Sequence, residues 1–68
     1  MKGGYREAHD ELAQALVGVR KAKTNTRFAM NLHRLPESLR ESLMGTLLKL
    51  NELESMLVKD FVKARARA

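Results

Sequence analysis

The feature that most constrains this chain is a leucine-rich segment in its second half, residues 39–62 (LRESLMGTLLKLNELESMLVKDFV). Steps of three and four residues between the apolar positions predict an amphipathic helix. The main stripe consists of Leu39, Leu43, Leu47, Leu50, Leu53, Leu57, Phe61 and Ala64. Beside it runs a second apolar set of Met44, Leu48, Met56, Val58 and Val62. Because one neighbouring helix cannot cover both sets, the segment predicts a helix with more than one packing partner.

The first half of the chain has a seven-residue repeat that predicts another helix. One column of the repeat contains Tyr5, Leu12, Val19, Thr26 and His33, and a second column contains Ala8, Ala15, Ala22 and Ala29. These columns are the a and d positions of a helical seam, with alanine at every d position. Small side chains let two helix axes approach closely. We therefore interpret the alanine column as part of the contact between the two helices.

The segment Thr24-Asn25-Thr26 leaves two architectures open. β-Branched residues and asparagine lower helix propensity, and Thr24 is suited to cap a new helix that starts at Arg27. A break near Thr24 predicts a three-helix monomer. The heptad register holds on both sides of this segment, however, and that continuity favours one long helix.

Pro36 marks the turn between the helices. Proline loses a hydrogen bond inside a helix but is favoured at the first helical position. We expect helix 1 over about residues 5–33, a turn at 34–36 and helix 2 over about 36–66, in a single domain spanning residues 1–68. So short a connection implies antiparallel neighbours. The predicted fold class is all-α, an antiparallel two-helix hairpin.

The small size of the chain predicts that two copies assemble. A core built from 68 residues is marginal, and the chain has no cysteine for a disulfide. Two hairpins related by a two-fold axis form a four-helix bundle. We expect such a homodimer, with the second apolar set of helix 2 at its interface, namely Met44, Leu48, Met56, Val58 and Val62.

The sequence carries no pattern typical of an enzyme or of a bound cofactor. No serine lies in a glycine-flanked nucleophile turn, and the glycines form no phosphate-binding loop. His9 and His33 are too far apart to form a local pair of metal ligands. The chain also has no apolar run typical of a signal peptide or of a membrane span. We expect a cytoplasmic, non-enzymatic protein without metal, cofactor or membrane partner.

The positive charge is concentrated in helix 1. The formal net charge is +5, and no acidic residue occurs from residue 12 to residue 36. A predicted stripe for contact with nucleic acid or an acidic surface consists of Arg6, Arg20, Lys23, Arg27 and Arg34. Arginines in such a row can follow a phosphate backbone or meet an acidic protein surface. The alternative is a solvated face that pairs with the acids of helix 2.

A third group of residues lies beside the turn. Apolar side chains bordered by arginines have the composition of a protein-binding hot spot. The predicted partner-binding patch contains Arg27, Phe28, Leu32, Arg34 and Leu35. Our leading hypothesis is a small regulatory protein, of a kind common in phages and mobile elements, that binds and modulates or inhibits a larger protein such as a transcription factor or an ATPase. The alternative is that these side chains close the end of the bundle.

The alanine heptads, the short turn and the segment TLLKLNELE at residues 46–54 resemble the Rop family of plasmid copy-number proteins. Members of that family are dimers of helical hairpins that bind paired RNA loops through a face of one helix pair. The resemblance implies a homodimer and, as a second hypothesis, RNA or DNA binding through the arginine stripe. It concerns architecture, since no residue of that RNA-binding face is matched here. A third hypothesis is a structural adaptor within a larger assembly.

Overall fold

The computed structural model describes residues 2–67, which form an antiparallel hairpin of two long helices. Helix α1 is Lys2–Met30 and helix α2 is Glu37–Arg67. The helices pack against each other in a rod with extents of 52 × 14 × 12 Å. The predicted all-helical hairpin is confirmed for this part of the chain.

Helix α1 continues without a break through the threonine-rich segment. The Thr24 hydroxyl donates to the Arg20 carbonyl at 3.1 Å, and the Thr26 hydroxyl donates to the Ala22 carbonyl at 2.7 Å. Both hydroxyls therefore bond to the preceding turn of the same helix instead of competing with it. The three-helix alternative with a break near Thr24 is wrong.

Helix α1 ends at Met30, about one turn before its predicted end at His33. The Asn31 amide still donates to the Arg27 carbonyl at 3.2 Å. The guanidinium of Arg40, in α2, donates to the Met30 carbonyl. Because the last carbonyls of a helix lack partners within it, this bond from the neighbouring helix caps α1.

The chain reverses direction at Arg34, whose φ of 65° lies in the left-handed region. This conformation costs a residue other than glycine about 1–2 kcal/mol. The Pro36 carbonyl then accepts the first bond of α2 from the Arg40 amide at 3.0 Å. The turn thus contains one strained residue immediately before the proline-led start of α2.

The contact surface of α1 is rotated by one residue from the predicted alanine column. The least exposed side chains of α1 include His9, Leu12, Leu16, Val19, Lys23, Thr26 and Met30. Leu16 is only 6% exposed, whereas Ala8 and Ala15 are exposed. Burying leucine removes more apolar area from water than burying alanine, which favours this rotation. Ala22 and Ala29 are half-buried and border the seam, so the predicted alanine column fails in the first half of α1, at Ala8 and Ala15, and contributes to the contact in the second half.

The contact surface of α2 keeps an unbroken alternation of steps of three and four. It consists of Arg40, Leu43, Leu47, Leu50, Glu54, Leu57, Phe61 and Ala64. Leu39 and Leu53 were expected in this stripe but are exposed, and Arg40 and Glu54 take the positions beside them. A strict heptad keeps one face of α2 towards α1 along its whole length. We call these contact residues of both helices the seam.

Candidate interaction surfaces

A charged cluster joins the two helices inside the seam. Glu54 accepts hydrogen bonds from Lys23 Nζ at 2.7 Å and from Arg20 Nε at 2.9 Å. The side chains of Lys23 and Glu54 are 14% and 22% exposed, whereas Arg20 reaches Glu54 from the surface. The bonds from Lys23 and Arg20 hold the pKa of the Glu54 carboxyl below its ordinary value, against the opposing effect of desolvation. A register shift of one heptad in either direction would place Lys23 against Leu47 or Phe61, so the pair selects one alignment of the helices.

This cluster interrupts the predicted arginine stripe. Arg20 bonds to Glu54, Lys23 lies in the seam, and Arg34 lies in the turn beyond α1. Arg6 and Arg27 are exposed and form no ion pair within residues 2–67. Lys23 is only 14% exposed and its charge is already paired with Glu54, so it is poorly placed to contact a phosphate.

The predicted partner-binding patch lies mostly in solvent. Phe28 is 67% exposed and Leu32, one helical turn later, is 59% exposed. Arg27 and Arg34 beside them are also exposed, while Leu35 is half-buried. Leu35 therefore packs at the turn end of the hairpin, whereas Phe28 and Leu32 remain exposed to solvent.

The open end of the hairpin differs from the turn end because aromatic contacts close it. The His9 and Phe61 rings stack with centroids 4.4 Å apart. The Arg67 guanidinium lies 5.6 Å from the centre of the Tyr5 ring and donates to its hydroxyl at 3.1 Å. These contacts hold the two chain ends together, whereas the turn end presents an apolar patch.

The side chains predicted at the dimer interface are all exposed in the hairpin, by 37% to 61%. At roughly 100° per residue, four of them share one flank of α2 and Met56 lies on the opposite flank with Leu39 and Leu53. The first flank is called the outer stripe here. It consists of Glu41, Met44, Leu48, Asn51, Ser55, Val58, Val62 and Arg65.

Two grooves run between α1 and the outer stripe. One groove, of about 450 Å³, is apolar over most of its length and is lined by Ala13, Leu16, Val17, Arg20, Val58, Phe61 and Val62. The neighbouring groove is lined mostly by polar residues, namely Arg20, Asn51, Glu54, Ser55, Val58 and Lys59. Both grooves are shallow surfaces suited to side chains of another helix rather than enclosed cavities suited to a small ligand.

Sequence reasoning missed the Lys23–Glu54 pair and the exposed Val17. The signal for the pair was present, because His9, Leu16 and Lys23 form a heptad column of their own. The alanine column and the column through Leu16 are both regular heptads, and the pattern of alanines favours the first. Once Lys23 is placed in the seam, Glu54 is an acidic partner at a seam position of α2.

Within residues 2–67, no three His, Cys, Asp or Glu side chains are grouped closely enough to hold a metal ion. Neither described helix combines the length and the apolar character needed to cross a membrane.

Comparison with known proteins gives no match: no protein-family model, no curated protein and no solved structure matches this chain. The resemblance to the Rop family therefore concerns the hairpin architecture alone.

Proposed function

We propose that this chain is a non-enzymatic regulatory protein that acts as a homodimer and binds a larger protein through the turn end of the hairpin. The observation that carries the proposal is the exposure of Phe28 and Leu32 beside Arg27 and Arg34. Aromatic residues and arginine are enriched among the residues that dominate binding energy at protein interfaces. The hairpin would act by occupying a surface of its partner and thereby modulate or inhibit a protein such as a transcription factor or an ATPase.

The proposed homodimer is supported by the amount of surface that the hairpin leaves in solvent. The accessible area is 5546 Å² for a mass of 7.7 kDa. A compact monomer of this mass exposes about 4,300 Å², so the hairpin has an excess of about 1,200 Å². Each partner in a standard protein interface buries about 800 Å². The excess is therefore large enough for a second copy.

Apolar side chains contribute to this excess. Among the described residues, the exposed large apolar side chains are Tyr5, Val17, Phe28, Leu32, Leu39, Met44, Leu48, Leu53, Met56, Val58 and Val62. Leu16 and Ala64 are the apolar residues that the hairpin buries. So small a core supports the proposal that folding and dimerisation are coupled.

Affinity capture with matched variants tests the binding surface. The tagged chain is incubated with nuclease-treated extract of the source cell, and a specific partner is then purified and rebound. We expect the Phe28→Ala/Leu32→Ala variant to lose that partner and the Gln14→Ala/Lys21→Ala variant, changed on the exposed side of α1, to retain it. Circular dichroism checks that both variants stay helical.

Retention of the partner by the folded Phe28→Ala/Leu32→Ala variant would contradict the proposed surface. Loss of all binding after nuclease treatment would instead favour the nucleic-acid hypothesis. Sedimentation equilibrium at micromolar concentration tests the homodimer separately, and a monomer under these conditions would overturn that part of the proposal.

A further inference from the structure

The polar and apolar residues of the outer stripe follow the same order in both directions from its centre, and its two ends carry opposite charges. Read outward from the middle, it pairs Asn51 with Ser55, Leu48 with Val58, Met44 with Val62 and Glu41 with Arg65. The centre is polar, the next two levels are apolar, and the ends carry opposite charges. A stripe of this kind is complementary to itself when reversed.

A two-fold axis perpendicular to α2 makes use of this symmetry. Residues at equal distances on either side of the axis then face each other in two antiparallel copies. All four large apolar side chains of the stripe meet apolar side chains, and Glu41 meets the partner's Arg65. A parallel pairing would place Glu41 against Glu41 and Arg65 against Arg65, so the charges favour the antiparallel arrangement.

The grooves beside the outer stripe match the side chains that this arrangement brings to them. The apolar groove, which Val17, Val58 and Val62 line, lies where the partner's Leu48 and Met44 would pack. The neighbouring groove, which is lined by the polar side chains of Asn51 and Ser55, lies where the same two residues of the partner would arrive. Apolar groups thus meet apolar groups, and polar groups meet polar groups, at each level.

The opposite flank of α2 has less capacity for such a contact. Its large apolar residues are Leu39, Leu53 and Met56, interrupted by Lys49, Asp60 and Lys63. The antiparallel register that pairs Leu53 with Met56 places Leu39 beyond the end of the partner's α2. On each side of the two-fold axis, that register therefore forms one apolar pair, whereas the outer stripe forms two.

We propose that two copies of this chain pair through the outer stripes of their α2 helices, antiparallel, in the register that places Leu48 of one copy against Val58 of the other. This inference rests on the homodimer proposed above. The stripe lies roughly 100° around α2 from the seam. The direction from α2 to its own α1 is therefore nearly perpendicular to the direction from α2 to the partner's α2. The two α1 helices then lie side by side on one face of a four-helix bundle.

This arrangement places the two turn ends at opposite ends of the dimer. The hairpin is 52 Å long, and antiparallel α2 helices carry their turns in opposite directions. The two patches that contain Phe28 and Leu32 are therefore far apart and face away from each other. The dimer is bivalent, with two separate partner-binding ends rather than one composite site.

Cysteine cross-linking tests the register, and the absence of native cysteine removes any background reaction. An equimolar mixture of Leu48→Cys and Val58→Cys chains is oxidised under mild conditions. We expect mixed disulfide dimers to dominate. In either variant alone, the two cysteines would be about 15 Å apart along the helix axis, beyond the reach of a disulfide. The matched mixture of Leu53→Cys and Met56→Cys, on the opposite flank, should remain uncross-linked.

A charge swap gives an independent test that keeps every apolar contact. Glu41→Arg places two positive charges together at each end of the stripe, and we expect it to weaken dimerisation about tenfold at low salt. The double variant Glu41→Arg/Arg65→Glu restores opposite charges and should return the dimer dissociation constant to within about twofold of the original. Sedimentation equilibrium measures both values.

The outcomes separate this inference from the homodimer itself. A stable dimer that cross-links through Leu53→Cys and Met56→Cys, or whose charge swap fails to recover, overturns the register and leaves the homodimer standing. A chain that remains monomeric at micromolar concentration overturns both.

Discussion

The seam between the helices includes charged side chains, whereas the outer stripe of α2 exposes apolar ones. The seam contains Lys23 and Glu54, which the neighbouring helix largely shields, and the half-buried Arg40. The outer stripe exposes Leu48 and Val62, each more than half accessible to solvent. In a self-sufficient hairpin, the aliphatic residues would fill the seam and the charges would lie outside.

This contrast assigns different physical roles to the two surfaces. An ion pair in a seam contributes little net stability compared with apolar packing, but it distinguishes one register from another. Exposed aliphatic side chains gain stability only when a second surface covers them. The seam therefore aligns the hairpin, and in the proposed homodimer the outer stripe would supply the stability that an isolated hairpin of this size lacks. Variants of the two surfaces should consequently differ in their dependence on protein concentration.

The largest effect is expected for Leu16→Ala, which removes the large side chain that the seam buries most completely. A truncated leucine in a core costs about 2–5 kcal/mol, and a seam open to solvent on its edges places this site in the lower half of the range. Urea unfolding measures the change, with the exposed Gln14→Ala as a control that should stay within about 0.5 kcal/mol of the original chain. A decrease in the free energy of unfolding of less than about 1 kcal/mol would show that Leu16 does not belong to a packed core.

The next effect is expected for Leu48→Ala in the outer stripe. In an isolated hairpin, truncating a side chain this exposed should change the stability by less than about 0.5 kcal/mol. Covered by a second copy, the same change should cost about 1–3 kcal/mol per protomer. Thermal unfolding at two protein concentrations measures the difference. The melting temperature of the original chain should rise with protein concentration, and Leu48→Ala should reduce that dependence. Equal melting temperatures for both chains at every concentration would show that the outer stripe does not contribute to the stability of the folded protein.

A smaller effect is expected from the charged level of the seam, and it should depend on pH. The pKa of Glu54 is lower in the folded chain than its ordinary value of 4.5. Its contribution is therefore complete above that value and is lost as the pH falls through the lower, folded pKa. Glu54→Gln should lower the melting temperature at neutral pH by less than Leu16→Ala does, and should flatten the decline in stability below pH 4.5.

Glu52→Gln provides the matched control, because Glu52 is exposed two residues away and forms no ion pair within the described chain. This variant should keep the acid-dependent slope of the original chain. An equal flattening in both variants would show that general charge, rather than the bonds from Lys23 and Arg20, causes the pH dependence.

The sequence was sufficient to predict two antiparallel helices, because heptads on both sides of a single proline define them independently of three-dimensional packing. It could not decide which of two adjacent columns in α1 faces α2. The alanine column and the column through Leu16 are both regular heptads, and the choice depends on how Leu16 packs beside Phe61. Phe28 and Leu32 are exposed, and their role in binding stays a prediction. Met56 and Val58 were grouped in one apolar set, but they lie on opposite flanks of α2.

The strained conformation of Arg34 also had no signal in the sequence, because the turn contains no glycine or asparagine at that position. It yields the smallest predicted effect. Arg34→Gly removes a left-handed cost of about 1–2 kcal/mol but adds up to about 1 kcal/mol of unfolded-chain entropy, so a net stabilisation of a few tenths of a kcal/mol is expected. Arg34→Asn should stabilise by at least as much, and Arg34→Ala, which keeps the Cβ atom, should bring no gain.

Because Arg34 belongs to neither the seam nor the outer stripe, the gain should be the same at every protein concentration. Urea unfolding at two concentrations measures it beside Leu48→Ala. A gain that grows with concentration would place the turn inside the dimer contact, which contradicts an arrangement with the turns at opposite ends. A concentration-independent gain, together with a concentration-dependent loss in Leu48→Ala, would separate the part of the hairpin that meets the second copy from the end that is left for another partner.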